Sequence, residues 1–410
     1  LHSSLAAGAA FSFVPRRVLG APGVPSANEQ LTKAVIGVGG MGRGHVKYDD
    51  ARLLAVCDAD AKHLQQVVDA EPGVKGYRDF REVLARPDID VIHIATPPHW
   101  HALMSIAAAE AGKDIWCEKP MSRTIAEGRA VIEAVRRNAR MFRLNTWFRF
   151  QAGYYGYGTA VAPIKKLVDS GILGWPLTVR VGEETGFSWK FGWSGRIDLK
   201  PEPVPPELDY NMWLGPAPYK PYHPHRIHGT FRGYWDYDGG GLGDMGQHYL
   251  DPVQYLLGKD DTAPVHAEAD APLQHPDAAS SFRRITLTYA DGCRIILLGS
   301  QREPDVPFIE GPKGKLFKNL ECTIPGARRL IDAMPDPEPQ LTDFPTCVRT
   351  RRKFALNEEN GHRSCTIVNL AITTWRLGRP IRFDPVTERA VGDDDANRLI
   401  CQPMRTPWHV

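Results

Sequence analysis

The sequence predicts an α/β protein: a domain of parallel strands alternating with helices, followed by a domain that contains an antiparallel sheet. Two observations predict this architecture. Short apolar runs alternate with helical segments from Leu31 onward, and strand-like segments at 284–289 and 294–298 flank an Ala-Asp-Gly turn typical of a hairpin. A length of 410 residues agrees with two or three domains.

The composition is that of a folded protein without a dominant charge. Apolar residues make up 42% and charged residues 24% of the chain, as in ordinary globular domains. The 50 basic and 48 acidic residues leave a net charge of +2, so no overall field attracts nucleic acid or an anionic membrane. No apolar run is long enough to span a bilayer. We therefore expect a small-molecule partner, no nucleic acid and no membrane span.

Neither cysteine nor histidine spacing predicts a metal site. The seven cysteines are scattered and include no C-x-x-C pair, so we expect buried thiols rather than a zinc ribbon or a disulfide framework. His99 and His101 form an H-x-H pair without a third ligand at a suitable spacing. We interpret both imidazoles as capping or packing groups and predict no metal.

Residues 1–29 differ from the rest of the chain. The stretch from Leu5 to Val14 is small and apolar, and a Gly/Pro/Ser-rich stretch follows it. This pattern is typical of the remnant of an export signal, although a basic n-region is missing. We expect a periplasmic or exported protein, with the cytoplasm as the alternative. A structural arm that lies on a cofactor groove or a partner subunit is the second interpretation of this segment.

A phosphate-binding turn is predicted after the first strand. The motif GVGGMG at 37–42 joins an apolar run to a helix, in the strand–turn–helix arrangement of a Rossmann domain. In this arrangement Gly37 permits the tight turn, Gly39 lets the backbone approach a pyrophosphate, and Gly42 lets the helix pack closely on the sheet. The helix N-terminus then faces the phosphates. The turn residues expected to bind the cofactor are Gly37, Gly39, Gly40, Met41 and Gly42.

A carboxylate at the end of the second strand favours NAD as the cofactor. The apolar run 53–57 ends at Asp58, where a carboxylate accepts hydrogen bonds from ribose hydroxyls. The same charge repels a 2′-phosphate, so NADP is disfavoured. Arg43, just after the glycine motif, is the one nearby residue that suits NADP.

Two further turns reach the same edge of the predicted sheet. A buried strand over 91–95 precedes one turn, a helix begins at 101, and a strand over 114–117 precedes the other turn. Because ligands bind at the carboxyl ends of parallel strands, we expect both turns to contact the cofactor. The expected contact residues are Thr96, Pro97, His101, Glu118 and Lys119.

Five motifs in this order resemble those of the Gfo/Idh/MocA family, the glucose–fructose oxidoreductase and inositol dehydrogenase group. They are the glycine turn, Asp58, the Thr96-Pro97 turn with His101, Glu118-Lys119-Pro120, and GGGLGDMGQHYLD at 239–251. The resemblance runs from about residue 31 to about residue 383. It implies a Rossmann domain followed by an α/β domain with a large, mostly antiparallel open sheet. It also implies NAD(P)-dependent oxidation of sugars, cyclitols or their derivatives, and a homo-oligomer, dimer or tetramer, assembled through that sheet.

The predicted organisation has four parts. The N-terminal arm, 1–29, precedes a Rossmann NAD(P)-binding domain over 30–150. A substrate-binding and oligomerisation domain follows over 151–385, and residues 386–410 form a C-terminal tail.

Lys119 and His248 are the predicted catalytic pair. Oxidation of a secondary alcohol needs a base for the hydroxyl proton and a cation beside the developing alkoxide. Lys119 lies at the ligand edge, while Asp244 and His248 are four residues apart and so share one helix face. We expect Asp244 to support His248 or to hold a substrate hydroxyl. Pro252 complicates this prediction, because a proline inside a helix predicts a kink there or a helix that begins near Gln247.

Aromatic residues interleaved with charged ones predict a carbohydrate pocket. Flat rings cover the C–H faces of a sugar, and charged groups bind its hydroxyls. The residues nearest the motifs in sequence are the best candidates. The expected substrate-binding residues are Trp147, Arg149, Tyr237, Asp244 and His248.

The sequence leaves three functions open. The first is an NAD(P)-dependent sugar or cyclitol dehydrogenase that removes hydride from a secondary alcohol. The second is a redox-neutral, NAD-dependent glycosidase that works through a 3-keto intermediate, which suits an exported protein that keeps its NAD. The third, a non-catalytic sugar/NAD sensor, is least supported, because Lys119 and His248 are both present and no helix-turn-helix accompanies them.

Overall fold

A computed structural model describes residues 30–150, 157–300, 303 and 305–410. The predicted arm or export signal at 1–29 lies outside the described residues, so both interpretations of that segment stay predictions.

The first domain is a doubly wound parallel sheet. Within the described residues the strand order is β3-β2-β1-β4-β5-β6, and every neighbouring pair is parallel. This is the Rossmann order, in which β2 and β3 are added on one side of β1 and β4 to β6 on the other side. The strands are β1 (Thr32–Ile36), β2 (Arg52–Cys57), β3 (Lys75–Tyr77), β4 (Val91–Ile94), β5 (Asp114–Glu118) and β6 (Phe142–Asn145); the helices are α1 (Gly42–Lys47), α2 (Ala61–Ala70), α3 (Phe80–Leu84), α4 (His101–Glu110) and α5 (Ile125–Arg137).

Burial along the strands explains this order. The strands β1, β4 and β5 are buried at every position, as expected of central parallel strands that are covered on both faces. The short β3 is exposed or half-buried throughout and forms one edge. The strands predicted at 91–95 and 114–117 and the helix predicted from residue 101 are confirmed to within a residue or so.

The second domain carries a mixed sheet with helices on it. The strand order is β12-β11-β7-β10-β9-β8-β13-β14, and within the described residues β7 with β10 is its parallel pair while the other neighbours are antiparallel. The predicted mostly antiparallel sheet is therefore confirmed. The strands are β7 (Thr178–Val181), β8 (His266–Asp270), β9 (Arg284–Thr288), β10 (Arg294–Leu298), β11 (Ile309–Gly311), β12 (Gly314–Leu316), β13 (Ile381–Asp384) and β14 (Arg389–Ala390); the helices are α6 (Val161–Asp169), α7 (Tyr210–Leu214), α8 (Gly240–Leu256), α9 (Ala327–Ala333), α10 (Phe344–Thr350), α11 (Glu358–Leu377) and α12 (Asp394–Ile400).

Helix α8 carries the residues of the last motif. It begins at Gly240 and continues through Pro252 to Leu256, so the predicted start near Gln247 is wrong. Proline removes the N–H that would bond to the carbonyl of His248. The rest of the helix packs against α11, which covers part of the sheet, and nearly all of α8 is buried. Packing therefore maintains a helix that the local sequence alone would interrupt.

The last segment, predicted as a tail, packs back on the body of the protein. Residues 386–410 contribute β14, which pairs with β13, and α12. Beyond α12, the ring of Trp408 meets the edge of Trp100 in the first domain at 4.9 Å between centroids, and the guanidinium of Arg405 donates to the carbonyl of Gly215 at 2.9 Å. The end of the chain thus connects the two domains.

The burial of the cysteines and the absence of a membrane-spanning helix among the described residues were both predicted from the sequence, and the structure agrees except at one cysteine. Five cysteines are buried and Cys322 is half-buried, but Cys401 is exposed, so the expectation of buried thiols is wrong at that position. Among the described residues, no helix is both long and apolar enough to cross a membrane.

Candidate functional site

A cleft runs along the carboxyl ends of β1, β2, β4 and β5, between the two domains. From the first domain it is lined by the predicted cofactor-binding residues Gly37, Gly39, Gly40, Met41, Asp58, Thr96, Pro97, Glu118 and Lys119. From the second domain it is lined by Met212, Trp213, His228, Phe231, Arg232 and Asp244. The predicted turns therefore meet at one edge.

The glycine turn has the shape that the motif predicts. Gly37 has a φ of +83°, and a Cβ there would lie 2.8 Å from the backbone after β4. A Cβ on Gly42 would come within 1.8 Å of the carbonyl oxygen of Gly37. Gly40 faces open space instead, since a Cβ there would meet nothing within 4 Å, and a Cβ on Gly39 would only touch the ring of His63 at 3.7 Å. The turn is thus tight on the protein side and open toward the cleft.

Asp58 is held at the end of β2 by backbone groups. Its two carboxylate oxygens accept hydrogen bonds from the N–H of Val38 and the N–H of Asp60, each at 2.8 Å. Burial raises the pKa of Asp58, and these two bonds limit the rise. Arg43, the residue that suits NADP, donates to Gln66 on α2 and is not part of the cleft lining.

Lys119 meets the second domain at Asp244. The ammonium of Lys119 donates to Oδ1 of Asp244 at 3.1 Å and to its carbonyl oxygen at 2.8 Å. The guanidinium of Arg232 donates to the same Oδ1 at 2.8 Å. Burial of Asp244 favours the neutral acid, but the two cations outweigh burial and lower the pKa of Asp244 to about 2. An ionised carboxylate is therefore fixed between two cations in the cleft.

A second acid lies beneath this cluster. Asp238 is buried, and its Oδ1 accepts a hydrogen bond from the N–H of Gly239 at 2.8 Å. Burial, together with the negative charge of Asp244, raises the pKa of Asp238 to about 8. Asp238 is thus the neutral partner of an acid pair in which Asp244 carries the charge.

His248 lies one turn along α8 from Asp244, in an aromatic setting. Its ring stacks on Phe148 at 4.7 Å between centroids and meets the ring of Trp147 at 5.4 Å. Nδ1 of His248 is 2.7 Å from the hydroxyl of Thr146. Burial lowers the pKa of His248 to about 3, and the charge of Lys119 acts in the same direction. The imidazole is therefore neutral at physiological pH.

The comparisons with known proteins agree with this geometry. Residues 31–146 match the Gfo/Idh/MocA model described as "Oxidoreductase family, NAD-binding Rossmann fold". Residues 157–410 match the model described as "Oxidoreductase family, C-terminal alpha/beta domain". The chain belongs to the Gfo/Idh/MocA family of oxidoreductases. The resemblance inferred from the five motifs is confirmed, and the first domain is the NAD-binding domain of this family.

Individual relatives are distant. The oxidoreductase YrbE of Bacillus subtilis is 26% identical over 282 residues, which cover 67% of this chain and 68% of YrbE. The inositol 2-dehydrogenase of Salmonella typhimurium is 31% identical over 156 residues, or 36% of this chain and less than half, 44%, of that protein. The WlbA dehydrogenase of Bordetella pertussis, solved with NADH and UDP-GlcNAcA, shares the fold with a TM-score of 0.60 at 18% identity, covering 88% of this chain and 99% of WlbA.

The residues present fit the cofactor of the family. The open side of Gly40 leaves space for a ligand against the backbone, and the carboxylate of Asp58 lines the cleft one strand away. Both features match what a bound dinucleotide needs from a Rossmann edge.

Several sequence-based assignments need correction. Gly42, Trp147 and His248 are not part of the cleft lining. Arg149 does not line the cleft; its buried guanidinium pairs with Asp251 at 2.7 Å and with Asp260 at 2.6 Å. Tyr237 is also absent from the lining, because it is buried in a core cluster with Trp213. The expected support of His248 by Asp244 is replaced by a hydrogen bond between Nδ1 of His248 and the hydroxyl of Thr146.

The two histidines of the H-x-H pair are packing groups, as predicted. The ring of His101 bridges the carbonyl oxygens of Thr96 and Pro120, at 2.7 and 2.6 Å. It therefore holds two cofactor turns in place and is not itself part of the lining. Nε2 of His99 is 3.0 Å from the carbonyl oxygen of Trp213.

One cluster in the described ranges has donor atoms close enough for a metal ion. The ligand atoms of Asp60, His63 and His228 lie within 4.8 Å of one another near the end of β2. Asp60 also caps α2 and is 3.3 Å from Nε2 of His228. The imidazole–carboxylate contact explains this proximity without an ion, and the prediction of no metal stays a prediction.

Arg232, Thr146 and Asp238 were not predicted as site residues. Arg232 begins, and Asp238 follows, the segment 232–237, in which aromatic and charged residues are interleaved, so composition marked the region without choosing these side chains. Thr146 follows β6, a strand end that no motif marked. Strand ends at the ligand edge are the signal that would have found it.

Proposed function

We propose that the protein is an NAD-dependent dehydrogenase that oxidises a secondary alcohol of a sugar, a cyclitol or a sugar derivative. One observation carries the proposal: the Lys119–Asp244–Arg232 cluster lies in the same cleft as the glycine turn and Asp58. An inositol dehydrogenase and a dehydrogenase bound to a nucleotide sugar among the similar proteins support this substrate class.

NAD, when bound, supplies the acceptor for the hydride. In this proposal the backbone of Gly39 and Gly40 contacts the pyrophosphate and the carboxylate of Asp58 holds the ribose hydroxyls. The Thr96-Pro97 turn and Glu118 border the remaining length of the cofactor. His101 positions two of these turns through its bonds to Thr96 and Pro120.

The proton and the hydride leave the alcohol by different routes. The ammonium of Lys119 donates a hydrogen bond to the alcohol oxygen and stabilises negative charge there. The imidazole of His248 is neutral because of its burial. In this proposal its Nδ1–H donates to the hydroxyl oxygen of Thr146, which leaves the lone pair of Nε2 to accept the hydroxyl proton. Asp244 keeps Lys119 in place and accepts a bond from a neighbouring hydroxyl. The ring of Trp147 packs against that of His248 and helps to orient the imidazole.

The test is a substrate screen on the purified full chain. The protein is first checked for bound nucleotide and then assayed for NADH formation with sugars, cyclitols, sugar acids and nucleotide sugars. We expect NADH only with polyhydroxylated substrates, and more with NAD than with NADP. Saturable binding of a sugar without any oxidation would overturn the proposal in favour of a sensor.

We further propose that the open sheet of the second domain mediates a homo-oligomer, a dimer or a tetramer, as the resemblance to the family implies. Sedimentation equilibrium measures this directly. A mass equal to that of one chain, 45.6 kDa, at all concentrations would contradict it.

A redox-neutral glycosidase is the second candidate, and contacts between the two domains beside the cofactor groove favour it. The N–H of Ala61 donates to the carbonyl of Glu207 at 2.9 Å, and the N–H of Asp209 donates to the carbonyl of Ala59 at 3.0 Å. Next to these bonds, Nε2 of His228 in the second domain lies 3.3 Å from Oδ2 of Asp60 in the first. A groove closed in this way would retain its nucleotide between turnovers.

In that case the substrate would be oxidised at C3, lose its aglycone by elimination, add water and be reduced again, with no net change in NAD. The distinguishing measurement uses an aryl glycoside with protein that has not been supplied with NAD. Release of the phenol without NADH accumulation supports the glycosidase, whereas stoichiometric NADH supports the dehydrogenase.

A further inference from the structure

Four ionisable side chains of the first domain form a continuous chain that starts at the cleft. Oε1 of Glu118 is 2.8 Å from Nε2 of His45. Nδ1 of His45 is 3.0 Å from Nδ1 of His93. Nε2 of His93 is 3.0 Å from Oδ2 of Asp50. We call this series the proton chain.

The proton chain crosses the domain from one edge of the sheet to the other. Glu118 ends β5 and lines the cleft. His45 on α1 and His93 in β4 are completely buried. Asp50 lies just before β2, at the amino end of the sheet, and its side chain is 10% exposed. One end of the chain therefore meets the cleft and the other meets solvent on the opposite edge.

Counting hydrogens shows that the three contacts are complete only when one proton is added to two neutral imidazoles. Three contacts of 2.8 to 3.0 Å need one bridging hydrogen each, since a contact between two lone pairs is repulsive. Two neutral imidazoles carry one N–H each and two carboxylates carry none. A third proton completes all three bonds, and this is the proton that the proton chain can carry. Burial lowers the pKa of His93 to about 3, so its ring is neutral between transfers.

Neighbouring polar and charged side chains contact both ends of the proton chain. At the cleft end, Asn145 donates to Oε1 of Glu118 at 2.6 Å, and the charges of His45 and Lys119 help to lower the pKa of Glu118 against its burial. At the other end, the buried ammonium of Lys33 is 2.7 Å from Oδ1 of Asp50.

The other side chains around the proton chain are aromatic or positively charged, apart from Asp49. The Trp116 ring lies 4.6 Å from the His93 ring, with the guanidinium of Arg143 3.4 Å above it, and Tyr48 packs against His45. Asp49, next to Asp50, is exposed. Bonds from His93 and Lys33 outweigh burial and lower the pKa of Asp50 to about 2, so Asp50 passes a proton on to water.

We propose that the proton chain conducts the proton released by the reaction from Glu118 to solvent at Asp50. This inference rests on the proposed function, because alcohol oxidation releases one proton in the cleft. His248 first returns to its neutral form by giving the proton to Glu118, which lines the cleft. The O–H bond of Glu118, the Nδ1–H bond of His45 and the Nε2–H bond of His93 then break. In the same step Nε2–H forms on His45, Nδ1–H forms on His93 and O–H forms on Asp50. Asp50 then releases its proton to water, and no group is oxidised or reduced.

A kinetic experiment tests the transfer. NADH formation and proton release to a pH-indicator dye are followed together in weakly buffered solution for the wild type, His93→Gln and His93→Ala. A glutamine side chain bonds to both neighbours but does not relay a proton, so we expect proton release to slow about tenfold or more in His93→Gln. Imidazole added to His93→Ala should restore the rate in a concentration-dependent way.

The matched control is His362→Gln. His362 is another buried histidine bonded to a carboxylate, Glu388, at 2.7 Å, but it belongs to the second domain and is not part of the cleft lining. We expect this variant to release protons at the wild-type rate. Wild-type rates of proton release in His93→Gln, with an unchanged solvent deuterium isotope effect, would overturn the proposal.

A measurement without substrate separates this inference from the proposed function. In protein labelled with ¹⁵N-histidine, we expect scalar coupling between the Nδ1 atoms of His45 and His93 through their shared hydrogen. This coupling should be lost in His93→Gln. Two neutral rings without this coupling would refute the proton chain even if NADH forms. The shared proton in a protein that oxidises no sugar would instead refute the dehydrogenase.

Discussion

Lys119 and Asp244, which belong to different domains, form an ion pair of 3.1 Å in the wall of the cofactor cleft. The side chains of both residues are at most 10% exposed, so solvent screens the pair weakly. The position of the Lys119 ammonium therefore depends on how the second domain sits on the first. We expect the reaction to be sensitive to each member of this contact.

Replacing Lys119 by alanine should reduce turnover by about 10² to 10⁴-fold, the usual contribution of a positioned proton-transfer or charge-stabilising group. NAD affinity should change little, because Asp58 and the glycine turn remain. Steady-state kinetics and a binding titration measure the two effects. Lys315→Ala, at a half-exposed lysine on β12, serves as the control. A Lys119→Ala enzyme within tenfold of wild-type turnover would contradict the proposed role.

Asp58→Ala should weaken NAD binding by about 1.5 to 3 kcal/mol, or roughly 10- to 150-fold, the value of hydrogen bonds to a charged group. Removal of the negative charge should also shift the preference toward NADP. Titrations with both nucleotides measure this change. Asp69→Ala, which removes a carboxylate from the surface of α2, should leave both affinities unchanged. An unaltered ratio of NAD to NADP affinity in Asp58→Ala would argue against ribose recognition by this residue.

Thr146→Val should lower kcat by about tenfold or more, because the valine keeps the shape of the side chain but cannot bond to Nδ1 of His248. Since Thr146 acts by positioning the imidazole, KM should change less than kcat. Thr146→Ser retains the hydroxyl and should restore most of the rate. Equal kcat values for the valine and serine variants would show that the hydrogen bond has no role in turnover.

Arg149→Met should destabilise the fold by about 3 to 5 kcal/mol, because it leaves the buried carboxylate of Asp251 without its cation. Urea unfolding measures the loss. Arg137→Met, which breaks an exposed pair with Glu110, should change the free energy of unfolding by less than about 1 kcal/mol. Substrate KM per folded Arg149→Met enzyme should be unchanged, whereas a raised KM with normal stability would return Arg149 to the substrate site.

The raised pKa of Asp238 should make the free energy of unfolding fall as the pH rises. Its folded pKa of about 8 lies above the value of 3.8 for an ordinary aspartate, so the folded state binds the extra proton. This contribution is complete below about pH 4 and is lost as the pH passes through about 8. Asp238→Asn stays neutral, so its stability relative to wild type should increase across this window. Unfolding curves at several pH values test the prediction, and parallel pH profiles would contradict it.

Most of the first domain was predictable from local sequence, because the signals there are local. Gly37 has a positive φ at a turn after a short apolar run, and Asp58 ends the next run. The topology of parallel strands then brings Asp58, Thr96 and Lys119 to one edge without any knowledge of packing. The antiparallel pair β9 and β10 was predictable for a similar reason, since a short turn determines its register.

The sequence by itself thus determined the architecture, the cofactor groove and the lysine that reaches into it, because each depends on residues a few positions apart. Only the tertiary structure decided which side chains meet across long separations. Arg149 and Tyr237 lie close to the motifs in sequence. In the structure, however, Arg149 forms a buried ion pair and Tyr237 belongs to a core cluster. The proton chain from Glu118 through His45 and His93 to Asp50 brings together residues up to 73 positions apart in the sequence. Such contacts depend on packing of whole elements, which no local pattern specifies.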